Sequence, residues 1–146
     1  MKINKVAIVS KFGSKKSENA AKMTAEKLLK QKFKVYTISP VAVKGGEKVN
    51  SVEDLRKVKL DLVITLGGDG TTLRTFRNLE NETPLLAINV GGNRGILSEI
   101  KLSEIDEAIQ HIRKNEIWLD KRTRVVASCN GKQFQPALNE IYVNRK

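Results

Sequence analysis

Two glycine-rich runs stand out among the 146 residues as places where chemistry could be done: Gly67-Gly68-Asp69-Gly70-Thr71 and Gly91-Gly92-Asn93-Arg94-Gly95. Each follows a short, almost wholly apolar segment, Asp61–Leu66 (DLVITL) and Pro84–Val90 (PLLAINV). Missing Cβ atoms let backbone N–H groups approach a phosphate, and a helix starting just beyond adds partial positive charge. A carboxylate inside such a loop repels phosphate, so Asp69 needs a reason to be there. It can take a proton from an attacking hydroxyl, hold Mg²⁺, or grip a ribose hydroxyl. The plainer alternative is a tight strand-to-helix turn in which Asp69 satisfies nearby N–H donors. Arg94 is the one basic side chain within either loop and a candidate phosphate contact.

Two familiar phosphate motifs are excluded. No GxxxxGK[ST] run occurs, which argues against a P-loop nucleotidase. Gly68-x-Gly70 continues to Leu73 where a dinucleotide fingerprint requires a third glycine. A single cysteine, Cys129, and a single histidine, His111, leave neither an intrachain disulfide nor a Cys/His zinc set. Cys129 reads as a small half-buried residue, His111 as a surface or helix-end residue, and Trp118 as an anchor between the two parts of the chain.

The elements that must position the loops follow from periodicity. Lys5–Ser10 and Lys34–Ser39 read as strands, with a helix between them from Ser17 to about Lys32. That helix carries Ala21, Ala25, Leu28 and Leu29 on one face. The two apolar runs ahead of the glycine loops have the composition of strands buried on both faces. A helix follows the first loop through Leu79. Another, capped by Ser103, places Ile105, Ala108, Ile109 and Ile112 on one face. Strands alternating with helices imply an α/β fold, a doubly wound and mostly parallel sheet, over residues 1–114. Ligands of such sheets bind beyond the carboxyl ends of the strands, where both glycine loops fall. Residues 115–146 change character. Asn130-Gly131 between Thr123–Cys129 and Gln133–Phe134 signals a hairpin, and Ala137–Val143 follows as a strand-like run. These are expected to be the first antiparallel strands of an incomplete β domain.

The net charge of +11 suggests a polyanionic partner, but its distribution weakens that suggestion. Residues 1–60 hold 15 basic and 5 acidic side chains, whereas residues 61–113, with both glycine loops, hold 5 and 8. At 5% aromatic content a base-stacking nucleic-acid surface has little to work with. No nucleic-acid partner is expected. No apolar run is long enough to span a bilayer, no signal-peptide pattern follows Met1, and cysteine usage fits a reduced cytoplasmic setting.

Three segments in order resemble the NAD kinase family. Gly67–Arg74 (GGDGTTLR) is similar to its GGDGT loop and following helix. Pro84–Ile100 (PLLAINVGGNRGILSEI) resembles its second glycine-rich segment, although one residue longer between Asn89 and Gly95 and with Ile96 where phenylalanine is usual. Ala137–Val143 (ALNEIYV) resembles its Asn-Glu strand. GGDGT also occurs in diacylglycerol and related lipid kinases, but there Asn-Glu follows almost at once, whereas here it stands at Asn139-Glu140. The resemblance implies phosphorylation of the adenosine ribose 2′-hydroxyl of NAD to give NADP, with ATP or polyphosphate as donor and Mg²⁺. It implies Asp69 as general base beside that hydroxyl. Gly68, Gly70 and Thr71 would line the diphosphate groove, Asn89 would shape the pocket floor, and Asn139 and Glu140 would contact adenosine and ribose. It also implies a homo-oligomer for the complete protein. A further Gly-Ser-Thr-rich segment expected of the family does not appear after Glu140, so the chain is expected to be a fragment with little activity alone. The alternatives are a lipid kinase of the same superfamily and a non-catalytic nucleotide- or nucleic-acid-binding module.

Overall fold

The computed structural model describes residues 2–79, 82–91, 95–138 and 140–143. Strand β1 (Lys5–Ser10) leads through helix α1 (Lys15–Lys30) to β2 (Lys34–Ile38) and the short edge strand β3 (Glu47–Val49). A 3₁₀ turn at Glu53–Lys57 returns the chain to β4 (Leu62–Gly67), followed by α2 (Asp69–Asn78), β5 (Leu85–Asn89) and a second short edge strand, β6 (Ile100–Lys101). Helix α3 (Ile105–Lys114) closes this part. The six strands lie in the order β3-β2-β1-β4-β5-β6, and every pairing is parallel. The expected doubly wound sheet is present. The two edge strands, two or three residues each, carry too little apolar pattern to be read beforehand.

Period-two alternation along the strands builds two cores. Val6 and Ile8 of β1, with Leu62, Ile64 and Leu66 of β4, face α1 and α3, where Ala21, Ala25, Leu28, Ile109 and Ile112 cover them. Ala7, Val9 and Val63 face the other way, toward Val52, Leu55 and Leu79. Helix α1 starts at Ser14, whose side-chain oxygen accepts from the Ser17 amide at 3.3 Å, so the cap lies three residues earlier than the sequence suggested. It ends where Lys32 adopts a left-handed φ of 63°. At the amino ends of β1 and β4, the Asp61 carboxylate accepts from the Asn4 and Lys5 amides at 3.0 and 2.8 Å. This fixes the register of the central pair.

The final segment forms a small ribbon. Strands β7 (Ser128–Cys129) and β8 (Lys132–Gln133) pair antiparallel around Asn130-Gly131, whose φ values of 51° and 75° are those of the expected tight turn. An antiparallel bridge joins Val125 to Ala137, with both hydrogen bonds at 2.8 Å. Beyond Ala137 the expected strand does not form among the described residues. Phe134, Ile141, Tyr142 and Val143 are exposed. Cys129 is exposed rather than half-buried, since its two-residue strand is covered on neither face. Trp118 does not anchor the junction and is fully exposed. The neighbouring Ile117 packs on the core instead. Arg124 makes the link: its guanidinium lies 5.0 Å from the Phe76 ring and donates to the Leu79 carbonyl at 3.3 Å.

Candidate active site

The strand order reverses direction between β1 and β4, where the chain first winds outward through β2 and then returns. A crevice at the carboxyl ends of the strands is the expected result, and the first glycine loop lies there. Gly67 ends β4 in a crowded position. A Cβ there would come within 2.6 Å of the Thr71 hydroxyl oxygen and 3.1 Å of the Lys11 Cβ. The Lys11 amide donates to the Leu66 carbonyl at 2.9 Å and so holds the loop after β1 against the end of β4.

Gly68 precedes α2, and its carbonyl accepts from the Thr71 and Thr72 amides at 3.1 and 3.2 Å. It supplies no side-chain cap, so the first amides of α2 have no local oxygen from that residue. Among the described residues a Cβ on Gly68 or on Gly70 would meet nothing within 4 Å, and neither glycine adopts a positive φ. Neither protein packing nor backbone conformation accounts for glycine at these two positions. Thr72 is buried and anchors the helix from beneath. Its hydroxyl lies 3.1 Å from that of buried Thr65 on β4 and 3.4 Å from the Gly68 carbonyl. Residue type alone offered no reason to look for this pair.

Asp69, the first residue of α2, joins the two glycine-rich loops. One carboxylate oxygen accepts from the Ile96 amide at 2.9 Å and the other from the Leu97 amide at 3.1 Å. The loop is so close that a Cβ on Gly95 would collide with the carboxylate. The second loop is set by Asn89 at the end of β5, whose side-chain oxygen accepts from the Gly91 amide at 2.8 Å. The Val90 amide in turn donates to the Gly67 carbonyl at 3.2 Å. The plain reading of Asp69 as a partner for N–H donors is therefore observed, although the donors belong to the other loop. Each oxygen keeps a second lone pair for a ligand.

Of the residues singled out from sequence, Gly68, Asp69, Gly70, Thr71 and Asn89 come together at the ends of β4 and β5. Arg94 and Asn139 lie outside the described residues. Glu140 is exposed, and among the described residues no hydrogen bond or ion pair joins it to the loops. The amides of Ile96 and Leu97 were missed. Backbone donors leave no mark in residue type. His111 sits in the last turn of α3 beside Glu116 at 3.3 Å, away from both loops, as a helix-end residue should.

Fold and site together define a doubly wound α/β domain whose two glycine-rich loops meet at the ends of its central strands. Comparison with known proteins gives the family. Residues 6–117 match the ATP-NAD kinase N-terminal domain, and the chain belongs to that family. It is 29% identical over 140 residues to an NAD kinase of Thermoplasma volcanium, covering 96% of this chain and 49% of that protein. With an NAD kinase of Methanocorpusculum labreanum the identity is 32% over 140 residues, covering 95% and 50%. The chain thus spans about half the length of these curated relatives. Among solved structures, a yeast NADH kinase complexed with NADH superimposes with a TM-score of 0.76 at 20% identity, covering 95% of this chain and 48% of the other. An NAD kinase from Archaeoglobus fulgidus in complex with ATP gives 0.54 at 23% identity, covering 84% and 40%. Both likenesses speak for the fold. No helix among the described residues is long and apolar enough to cross a membrane.

Proposed function

We propose that the chain binds NAD and a phosphoryl donor at the paired glycine loops and serves transfer of a phosphoryl group to the 2′-hydroxyl of the adenosine ribose, yielding NADP. The observation that carries this reading is the Asp69 carboxylate at the start of α2, held by the Ile96 and Leu97 amides between the two loops. The match to the NAD kinase family supports it. Asp69 is then the general base. Its two amide partners aim both oxygens, and it takes the hydroxyl proton as the new O–P bond forms and the bond to the leaving phosphate breaks. In a loose transition state that proton leaves late, so positioning outweighs base strength. Gly68, Gly70 and Thr71 line the phosphate groove in this reading, and Asn89 shapes the floor through the second loop. Arg94, Asn139 and Glu140 complete the nucleotide contacts in this reading.

Among the described residues no group of three or more His, Cys, Asp or Glu side chains could hold a metal ion. In this reading magnesium enters as part of the donor, Mg-ATP or Mg-polyphosphate, carried mainly by phosphate oxygens. A cytoplasmic location and a homo-oligomeric complete protein accompany the proposal. The test is calorimetric titration of the chain with NAD, followed by kinetics in a chimera carrying the remaining half of the Thermoplasma volcanium relative. Saturable NAD binding that Asp69→Asn preserves, with phosphoryl transfer lowered about 10²–10⁴-fold, is expected. Full activity of the Asp69→Asn chimera would remove Asp69 from the mechanism.

A further inference from the structure

The loop after β1 meets the first glycine loop on the side away from Asn89 and the second loop, because β1 and β5 flank β4 on opposite sides. Lys11 is its first residue. Its backbone is pinned by the 2.9 Å bond to the Leu66 carbonyl, and its Cβ occupies the space beside Gly67 that a larger residue would need. The exposed side chain thus starts beside the first glycine loop. Three lysines of this region have acidic partners: Lys15 with Glu18, Lys27 with Asp106 and Lys34 with Glu47. Lys11 is exposed and, among the described residues, takes part in no ion pair. Asp69, the carboxylate of the site, is turned toward the second loop by its two amide bonds. A lysine backbone is therefore anchored on the β1 side of the first glycine loop, and the carboxylate is held on the β5 side.

We infer that Lys11 binds the polyphosphate chain of the phosphoryl donor. This rests on the function proposed above and divides its site: the acceptor hydroxyl lies on the β5 side with Asp69, and the donor phosphates extend toward β1 and Lys11. A linear phosphoanhydride matches a compact ammonium charge as well as a row of N–H donors. The dinucleotide also carries a diphosphate, so the two sources must be separated by experiment. Lys11 acts as a binding residue and exchanges no proton.

The experiment is calorimetric titration of the full chain with NAD and, separately, with tripolyphosphate and Mg²⁺, using wild type, Lys11→Gln, Lys11→Arg and Lys48→Gln. Lys48, exposed on the edge strand β3, controls for the loss of one positive charge anywhere on the surface. Lys11→Gln should weaken tripolyphosphate binding about tenfold while changing NAD binding less than twofold. Lys11→Arg should restore most of the affinity, and Lys48→Gln should leave both ligands unaffected. Equal tripolyphosphate binding by wild type and Lys11→Gln overturns the inference and leaves the proposed function standing. Loss of NAD affinity alone in Lys11→Gln overturns the donor assignment. A wild-type chain that binds NAD but no tripolyphosphate overturns the inference as well, whereas one that binds neither removes the proposed function with it.

Discussion

Gly95→Ala is the sharpest perturbation of the contact between the two loops. Gly95 does not hold a positive φ, so alanine meets no backbone penalty there, and its only obstacle is steric. The added methyl would overlap the Asp69 carboxylate and press the Ser98 hydroxyl at 3.2 Å, so loop and carboxylate must separate. Separation breaks the bonds from Ile96 and Leu97, of which the first is exposed and the second half-buried. A hydrogen bond to a charged acceptor contributes about 1.5–3 kcal/mol when protected, and exposure reduces the first to about 1 kcal/mol. The variant should lose about 3 kcal/mol, or about 9 °C in Tm for a domain of this size. Asp69→Ala removes the same two bonds and should cost a similar amount. The double variant should then be no less stable than Asp69→Ala alone, because the methyl has nothing left to strike. Urea unfolding followed by circular dichroism measures all four proteins of this cycle. Additivity of the two costs within about 0.5 kcal/mol would refute the reasoning, since it would mean that the residues do not act through one contact.

Three further outcomes follow from the same coordinates. Thr72→Val should cost about 1–2 kcal/mol by leaving the buried Thr65 hydroxyl without its 3.1 Å partner, and the Thr65→Val/Thr72→Val double variant should recover most of that loss in the same unfolding assay. Asp61→Ala should destabilise by about 1–2 kcal/mol and raise hydrogen exchange at the Asn4 and Lys5 amides that it accepts from. Asp54 should titrate below the ordinary aspartate value of 3.8, because hydrogen bonds from Lys57 and then Ser51 favour its charged form. Its small stabilising contribution is therefore complete above that value and disappears as pH falls through the lowered one. Carbon-detected NMR titration of wild type and Lys57→Gln checks this, with the variant moving back toward 3.8.

What could be read from residues alone follows from how each feature is encoded. The central strands β1, β2, β4 and β5 were legible because two-sided burial demands continuous apolar runs, as in Val6–Val9 and Leu62–Leu66. The hairpin was legible because Asn130-Gly131 is suited to two successive positive φ values. Trp118 misled, since a large aromatic ordinarily implies burial, and nothing in its neighbours revealed that Ile117 and Arg124 would do the packing. At the site, Asp69, Gly68 and Gly70 declared themselves by residue type. The contact that joins the loops did not, because its donors are the backbone amides of Ile96 and Leu97. The pairing of Thr65 with Thr72 escaped for a related reason: threonine suits a strand and a helix start equally well, and only the fold brings the two hydroxyls together.

The central claim is that the paired glycine loops form the dinucleotide site. Amide-resolved NMR titration of the chain with NAD tests it most directly. The account predicts saturable shifts concentrated on Gly68, Gly70, Thr71, Gly91, Ile96 and Leu97, lost in Asp69→Ala together with the contact between the loops. Shifts that gather instead along the basic face of α1, or around Leu55–Asp61 at the opposite ends of the strands, would contradict it.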